Sequence, residues 1–193
     1  MHITTFTNKK VCPIKLTHED IDLVDILQSL SFKPRFGGFL PWNYSVLQHS
    51  INCAILAKRH NFTKRLILAA LIHDLCESLS PAGDIPSPVK NVMCIFSLNQ
   101  NKMLRFREFE DEVMSIIIKG LGINDKVSVN DTHDISIKNI DRQLCNSESL
   151  YIRGYKVWDD IPVVNNESDY FFKKVKPEKM REKFMEIYNE CLS

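Results

Sequence analysis

Residues 66–90 read LILAALIHDLCESLSPAGDIPSPVK, and the rest of the chain is interpreted around this stretch. Its first seven residues, 66–72, are all apolar, which predicts a buried segment. His73 and Asp74 follow directly, although burial of an ionised carboxylate is costly unless the carboxylate is paired or bound to a metal. The pattern therefore indicates that a core helix delivers an imidazole and a carboxylate to a site.

This central helix is predicted to follow Thr63, a favourable N-cap residue, and to cover about residues 64–79. On such a helix Glu77 lies one turn beyond His73 and Asp74, above the same sector of surface. His73 and Asp74 can then hold one cation while Glu77 addresses a water on it. Metal sites of this kind use about four to six donors, so other segments must supply further ligands.

Composition limits the classes of protein to consider. A chain of 193 residues, with 44% apolar and 25% charged residues, suits one soluble globular domain. A net charge of +1 gives no electrostatic case for long nucleic acid or a membrane surface as the main partner. The six cysteines include no C-x-x-C pair, and no signal peptide or membrane-length apolar run is present, so we expect a cytoplasmic protein with reduced thiols.

A second candidate ligand lies upstream of the central helix. Ser45 and Gln48 form a predicted capping box, and the helix that follows carries His49 and Cys53 on one face. A histidine on an apolar face is more often a satisfied core residue. Here a short turn makes this helix an antiparallel neighbour of the central helix, which carries His73, and this favours the ligand interpretation.

A further acid lies near the middle of the chain. Asp141 falls between Ile137 and Leu144 on the apolar side of a predicted helix, where a carboxylate needs a partner. A second His-Asp pair, His133-Asp134, has no apolar run before it. We interpret that pair as a helix start, in which a carboxylate caps free N–H groups.

Residues that could bind a substrate flank the central helix. The loop 31–43 is rich in aromatic residues, including Phe36 and Trp42, around Arg35. These rings either pin the loop to the core or stack on a base while Arg35 binds phosphate. Lys90, in the first turn of a predicted helix, is either a solvated lysine or a phosphate ligand.

The remaining segments are assigned structural roles. We expect a short extended arm over residues 1–16, a helix that opens at Thr17, and a long helix over 101–119 that Gly120 stops. The acidic run on that long helix is interpreted as a solvated face. A last helix is predicted from residue 177 to about 191.

The order His49, His73-Asp74 and Asp141 resembles the H…HD…D pattern of the HD-domain phosphohydrolases. The string from His73 to Lys90 is similar to the compact 5′-deoxynucleotidase branch, in which the HD pair precedes a Glu, a Gly-Asp and an (I/L)-P-(S/T)-P-V-K string. SLSFKPRFGG and YSVLQHS resemble phage members of this branch, among them dATP triphosphohydrolases. The phage motif usually continues Gly-Gly-His-Thr, where this chain has Phe39-Leu40.

The resemblance implies an all-α, single-domain helical bundle over residues 1–193, with a short extended arm at its N-terminus. It implies a metal-dependent phosphohydrolase of deoxynucleotides, with dATP as the preferred substrate. It also implies a homo-oligomer in the cytoplasm, or in the host cytoplasm if a phage encodes the protein. One divalent ion (Zn, Co, Mn or Fe) is expected on four ligands, with a further Mg on the substrate phosphates. These ligands are His49, His73, Asp74 and Asp141.

The same resemblance suggests roles for the other candidates. Glu77 and Asp84 are expected to handle the proton of the attacking water or of the leaving oxygen. The expected phosphate-binding residues are Arg35, Lys90 and Arg142. Two alternatives stay open at this point: a 5′-deoxynucleotidase that acts on monophosphates, and a catalytically silent scaffold that binds a nucleotide.

Overall fold

The computed structural model of the chain describes residues 2–80, 85–165 and 172–193. Helix makes up 55% of the structure and strand 8%. The chain is therefore mostly helical, in rough agreement with the all-α class, and two small sheets are added to the helices. None of the helices in the described ranges combines the length and the apolar character that a membrane crossing requires.

The helices in the described ranges are, in chain order, α1 (Leu23–Phe32), α2 (Val46–Arg59), α3 (Lys64–Ile72), α4 (Ser87–Lys90), α5 (Phe106–Gly120), α6 (Val129–Thr132), α7 (Ile135–Glu148) and α8 (Pro177–Leu192). Short 3₁₀ turns cover His18–Asp20, Phe36–Gly38 and Leu75–Ser78, and a π-type turn covers Ser149–Arg153.

Both sheets are antiparallel pairs of short strands. Strands β1 (Ile3–Thr4) and β2 (Lys10–Val11) pair within the predicted extended arm. Strands β3 (Cys94–Ser97) and β4 (Lys102–Arg105) form a second pair that sequence analysis missed. Helix was wrongly predicted from residue 101, because the chain reverses at Asn101, whose φ of 50° suits an asparagine in a turn.

The central helix is shorter than predicted. The hydroxyl of Thr63 accepts a hydrogen bond from the backbone N–H of Leu66, which confirms the N-cap, but α3 ends at Ile72 instead of residue 79. Asp74, with φ −106° and ψ 11°, leaves the helical region, and the chain tightens into the 3₁₀ turn Leu75–Ser78. Glu77 therefore projects from this turn, and the expected stacking of Glu77 one α-helical turn above His73 is wrong.

The predicted end of the long helix at Gly120 is confirmed, since α5 ends at this residue. A Cβ atom at Gly120 would lie 2.6 Å from Cβ of Ile21 and 2.7 Å from the carbonyl oxygen of His18. The left-handed residue that follows α5 is Gly122, with φ 66°. Gly120 thus permits the close approach of α5 to the first 3₁₀ turn.

Helix α2 forms the centre of the core, since every side chain from Val46 to Ala57 is buried. Helices α3, α7 and α8 all pack on α2, and α7 also contacts α3. The predicted C-terminal helix is confirmed as α8, which buries Met180, Phe184 and Ile187. This packing brings the first turns of α2, the end of α3 and the middle of α7 to one place.

Candidate metal centre and adjoining cavities

The four side chains predicted as metal ligands lie together where α2, α3 and α7 meet. Nε2 of His49 is 3.0 Å from Oδ1 of Asp141 and 3.9 Å from Oδ2 of Asp74. Nε2 of His73 is 3.2 Å from that same Asp74 oxygen, and the two imidazole centroids are 5.4 Å apart. Two ring nitrogens and two carboxylates from separate parts of the chain thus converge.

The orientation of His49 is fixed by a buried carboxylate. Nδ1 of His49 lies 2.6 Å from Oε1 of Glu148, which also accepts a hydrogen bond of 2.9 Å from the hydroxyl of Tyr44. The amide of Asn52 donates in turn to the Tyr44 hydroxyl at 2.9 Å. Because an ionised carboxylate only accepts, Nδ1 is the donor and Nε2 faces Asp141 and Asp74. A carboxylate behind the far nitrogen is the usual arrangement for a metal-ligating histidine.

His73 is fixed in the corresponding way by the backbone. Its Nδ1 donates to the carbonyl oxygen of Ala70 at 2.8 Å. Nε2 is buried and faces Oδ2 of Asp74 at 3.2 Å, but the pair lacks hydrogen-bond geometry. An ion held between this nitrogen and the carboxylate would satisfy both groups.

The charges in the cluster favour ionised carboxylates. Burial by itself raises the pKa of Asp74. The combined effect of His73, His49 and Arg35 lowers it by more, so the net shift is downward. Burial likewise raises the pKa of Asp141, but the hydrogen bond from His49 and the charges of His49, His73 and Arg35 together outweigh it, and the net shift is downward. Both acids are therefore available as anionic donors at neutral pH.

Cys53 offers a different combination of donors. Sγ of Cys53 lies 3.4 Å from Nε2 of His49, and His49, Cys53 and His73 form a candidate metal-binding group whose donor atoms all lie within 4.8 Å of one another. Burial raises the pKa of the Cys53 thiol to about 11. A thiolate is the ligating form of cysteine, so an ion would have to displace that proton.

Arg35 lies among the acids of the cluster. Its Nε is 3.2 Å from Oε2 of Glu148, and its two terminal nitrogens are 3.6 Å from Asp74 and 4.0 Å from Asp141. Arg35 therefore offsets the negative charge of these three carboxylates. It also borders one of the cavities described below, where its predicted contact with phosphate stays a prediction.

Glu77 belongs to a second ionic group beside the first. Its side chain is buried, and its Oε1 lies 3.0 Å from Nζ of Lys90, which is also 2.7 Å from Oε1 of Glu110. Burial lowers the pKa of Lys90, but Glu77 and Glu110 raise it well above its ordinary value. Of the two interpretations of Lys90, the solvated surface lysine is therefore wrong. The interpretation of the acidic run as a solvated face is wrong for Glu110.

Two cavities adjoin the cluster, and Asp74, Lys90 and Asp141 line both of them. The first, the aromatic cavity, has a volume of about 560 Å³. Its other lining residues include Arg35, Phe36, Glu77, Arg142, Arg153 and Trp158. The guanidinium of Arg142 lies 5.7 Å from the ring of Trp158, and that of Arg153 lies 5.4 Å from the ring of Phe36. Flat rings and cations suit an aromatic, anionic ligand.

The second, the polar cavity, has a volume of about 490 Å³. Its other lining residues include Arg107, Glu110, Asp111, His133 and Lys138. His133 is paired with Asp111 at 2.6 Å, and Asp134 caps α7 by accepting from the N–H of Ser136. The prediction that the second His-Asp pair marks a helix start is therefore confirmed for Asp134.

Some predicted site residues are not brought to the cluster. Trp42 is half-buried and is not among the residues that line either cavity. Phe39 is 85% exposed, which is incompatible with a loop pinned to the core by all of its rings. Asp84 lies outside the described residues.

Three residues of the site were not predicted from the sequence: Glu148, Glu110 and Trp158. Glu148 lies seven residues after Asp141 and therefore on the same face of α7, about two turns on, which is a signal that the sequence contained. Glu110 sits within an acidic run that resembles an ordinary solvated face. Trp158 lies in an irregular segment that has no periodicity.

Comparisons with known proteins give one relative and no family. No protein-family model matches the chain. The chain is 34% identical over 101 residues to a protein of Escherichia coli (strain K12) named Uncharacterized protein YfdR. That similarity covers 52% of this chain and 53% of YfdR, so the two proteins match over about half of their lengths.

Proposed function

We propose that the chain is a metal-dependent phosphohydrolase of deoxynucleotides that prefers deoxynucleoside triphosphates. One observation carries the proposal: His49 and His73, each held through Nδ1, turn Nε2 towards Asp74 and Asp141. This cluster borders two cavities, and the buried acid Glu77 lines one of them. Convergent donors beside a cavity and a buried acid form a typical hydrolytic site.

The donor set fits a divalent metal. His49, His73, Asp74 and Asp141 would hold the ion with two nitrogen and two oxygen donors, a mixture that suits Zn, Co, Mn or Fe. When bound, such an ion acidifies water and offsets negative charge on a phosphate group. The buried Nε2 of His73 supports the fit, because it faces Oδ2 of Asp74 without forming a hydrogen bond of good geometry.

Glu77 is proposed as the general base. Its carboxylate is buried and lies 3.0 Å from Nζ of Lys90, so its position at the border of the aromatic cavity is fixed. It would take the proton of the attacking water and return it to the leaving oxygen. Lys90 lines both cavities and would neutralise phosphate charge between them.

The two cavities support a substrate that extends to both sides of the cluster. Phe36 and Trp158 in the aromatic cavity would face the nucleoside, with Arg142 nearby. Arg107 and Lys138 in the polar cavity would face the outer phosphates, together with any Mg bound to them. The acids that also line this second cavity, Asp74, Glu110, Asp111 and Asp141, would face that Mg. A monophosphate would leave the cavity without a ligand, so its volume supports the triphosphate over the monophosphate alternative.

A panel of nucleoside mono-, di- and triphosphates, each with Mn, Co or Zn, tests the proposal. We expect deoxynucleoside triphosphates to be hydrolysed fastest, with dATP first, and inorganic phosphate or tripolyphosphate to be released. Turnover of monophosphates alone would replace this proposal with the 5′-deoxynucleotidase alternative. Binding without turnover under every metal condition would indicate the silent scaffold.

A further inference from the structure

A groove beside the C-terminal part of α2 is lined by cations and belongs to neither cavity of the proposed active site. Its volume is about 780 Å³, within the range of small-molecule pockets. The cations come from the end of α2, the segment before α8 and the first half of α8. They are Lys58, Arg59, Lys173, Lys174, Lys176, Lys179 and Lys183.

The positive charge of this basic groove is largely uncompensated within the described part of the chain. Among the described residues that line the groove, Glu186 is the one acid, and it pairs with Lys183 at 2.7 Å. Lys58 pairs with Glu190. The other four lysines, in the segment 173–179, form no ion pair with any described residue. Because the whole chain has a net charge of only +1, this is a local concentration of charge.

The backbone adds donors at the same place. Lys176 is the N-cap of α8 and provides no side-chain cap, and Pro177 occupies the first helical position. The first N–H groups of a helix have no intrahelical partner, and the helix dipole adds positive potential there. Lys176 at the N-cap and Lys179 in the first turn both line the groove, so the positive end of α8 lies at its border. This placement favours an anion with several negative charges.

From these observations we propose that the basic groove is a second ligand site, which binds the phosphate chain of a small polyphosphate. The chemical class includes inorganic tripolyphosphate and the triphosphate group of a nucleotide. No aromatic side chain lines the groove in its described part, so bases would not be stacked as they are on single-strand binding surfaces. A compact polyanion therefore fits better than a nucleic-acid strand.

The groove is separate from the proposed active site but is linked to it. Lys58 lies nine residues after His49 on α2, which corresponds to about 14 Å along the helix axis. The side chain of Gln48, next to His49, donates to the backbone carbonyl of Lys173 at 2.8 Å. Occupation of the groove therefore acts on a segment that is hydrogen-bonded to the helix carrying His49.

Calorimetric titration with inorganic tripolyphosphate tests the proposal in the intact chain. In the double variant Lys176→Glu/Lys179→Glu the affinity of the groove should fall at least tenfold. The matched control is Lys102→Glu/Lys126→Glu, which makes the same change in net charge at exposed positions elsewhere and should bind as the wild type does. A second titration uses dATP and the Asp74→Ala variant, which is designed to remove binding at the active site. The affinity of dATP relative to that of tripolyphosphate then shows whether the nucleoside contributes to binding in the groove.

Two results would overturn the proposal: equal tripolyphosphate binding by the groove variant and the wild type, or binding of a short single-stranded oligonucleotide with none of tripolyphosphate. Circular dichroism of each variant is the control for correct folding. Since neither lysine belongs to the proposed catalytic cluster, the result does not depend on whether the chain hydrolyses nucleotides.

Discussion

Nδ1 of His49 donates to Oε1 of Glu148 at 2.6 Å, and Glu148 in turn lies 3.2 Å from Nε of Arg35. This contact holds the ring so that Nε2 faces Asp141. Glu148 is fully buried, although it touches neither cavity, which is the placement expected of a residue that orients a ligand.

Glu148→Gln should weaken metal binding about 10- to 100-fold without unfolding the chain, because the amide still fills the space but no longer provides a charged acceptor for Nδ1. Competition with a fluorescent chelator measures the affinity. Glu178→Gln, an exposed acid on α8, is the matched control. Unchanged affinity in Glu148→Gln would show that this contact does not support the metal site.

Glu77→Gln should retain the metal and lose turnover by about 10²- to 10⁴-fold, since the amide cannot accept a proton. Lys90 keeps Glu110 as a partner at 2.7 Å, so the local fold should persist. Metal content and the rate of dATP hydrolysis are measured on the same preparation. Loss of metal in this variant would make Glu77 a ligand and contradict its role as a base.

Phe36→Ala should narrow the preference for dATP over ATP, whereas Trp42→Ala should leave it nearly unchanged. Phe36 lines the aromatic cavity and Trp42 does not. Discrimination by shape against one extra hydroxyl is worth about a hundredfold at most. The ratio of kcat/KM for dATP to that for ATP provides the test. A smaller ratio in Trp42→Ala than in Phe36→Ala would show that Trp42, and not Phe36, discriminates between the two substrates.

The sequence sufficed for the parts of the site that depend on local patterns. Thr63 and Ser45 were recognised as helix caps, and the convergence of His49 with His73 followed from two helices joined by a short turn. The early end of α3 was not predictable from apolar periodicity, because it depends on the backbone of Asp74. Glu110 lies 20 residues after Lys90, with the β3–β4 pair between them, so no local sequence pattern predicts their contact.

Asp131 gives a test of stability that is independent of function. Arg65, whose Nη2 lies 2.7 Å away, and the hydroxyl of Ser128 lower the pKa of Asp131 to about 2. A carboxylate with a lowered folded-state pKa stabilises the fold above its unfolded pKa of about 3.9, and this contribution disappears as the pH falls towards the folded value.

Urea unfolding of the wild type and Asp131→Asn should therefore differ by a constant amount above about pH 5, and the two curves should approach each other between about pH 4 and pH 2. Asp125→Asn serves as the control for loss of one exposed carboxylate. A difference that grows on acidification would contradict the assigned pairing with Arg65.

Metal content per chain, measured by mass spectrometry of the purified protein, tests the central claim most directly. We expect close to one divalent ion in the wild type and in Cys53→Ala, and almost none in Asp141→Ala or His73→Ala. Retention of the ion by Asp141→Ala together with its loss from Cys53→Ala would assign the metal to His49, Cys53 and His73 instead. A wild-type protein that takes up no divalent ion from Mn-, Co-, Zn- or Fe-supplemented medium would contradict the proposed site altogether.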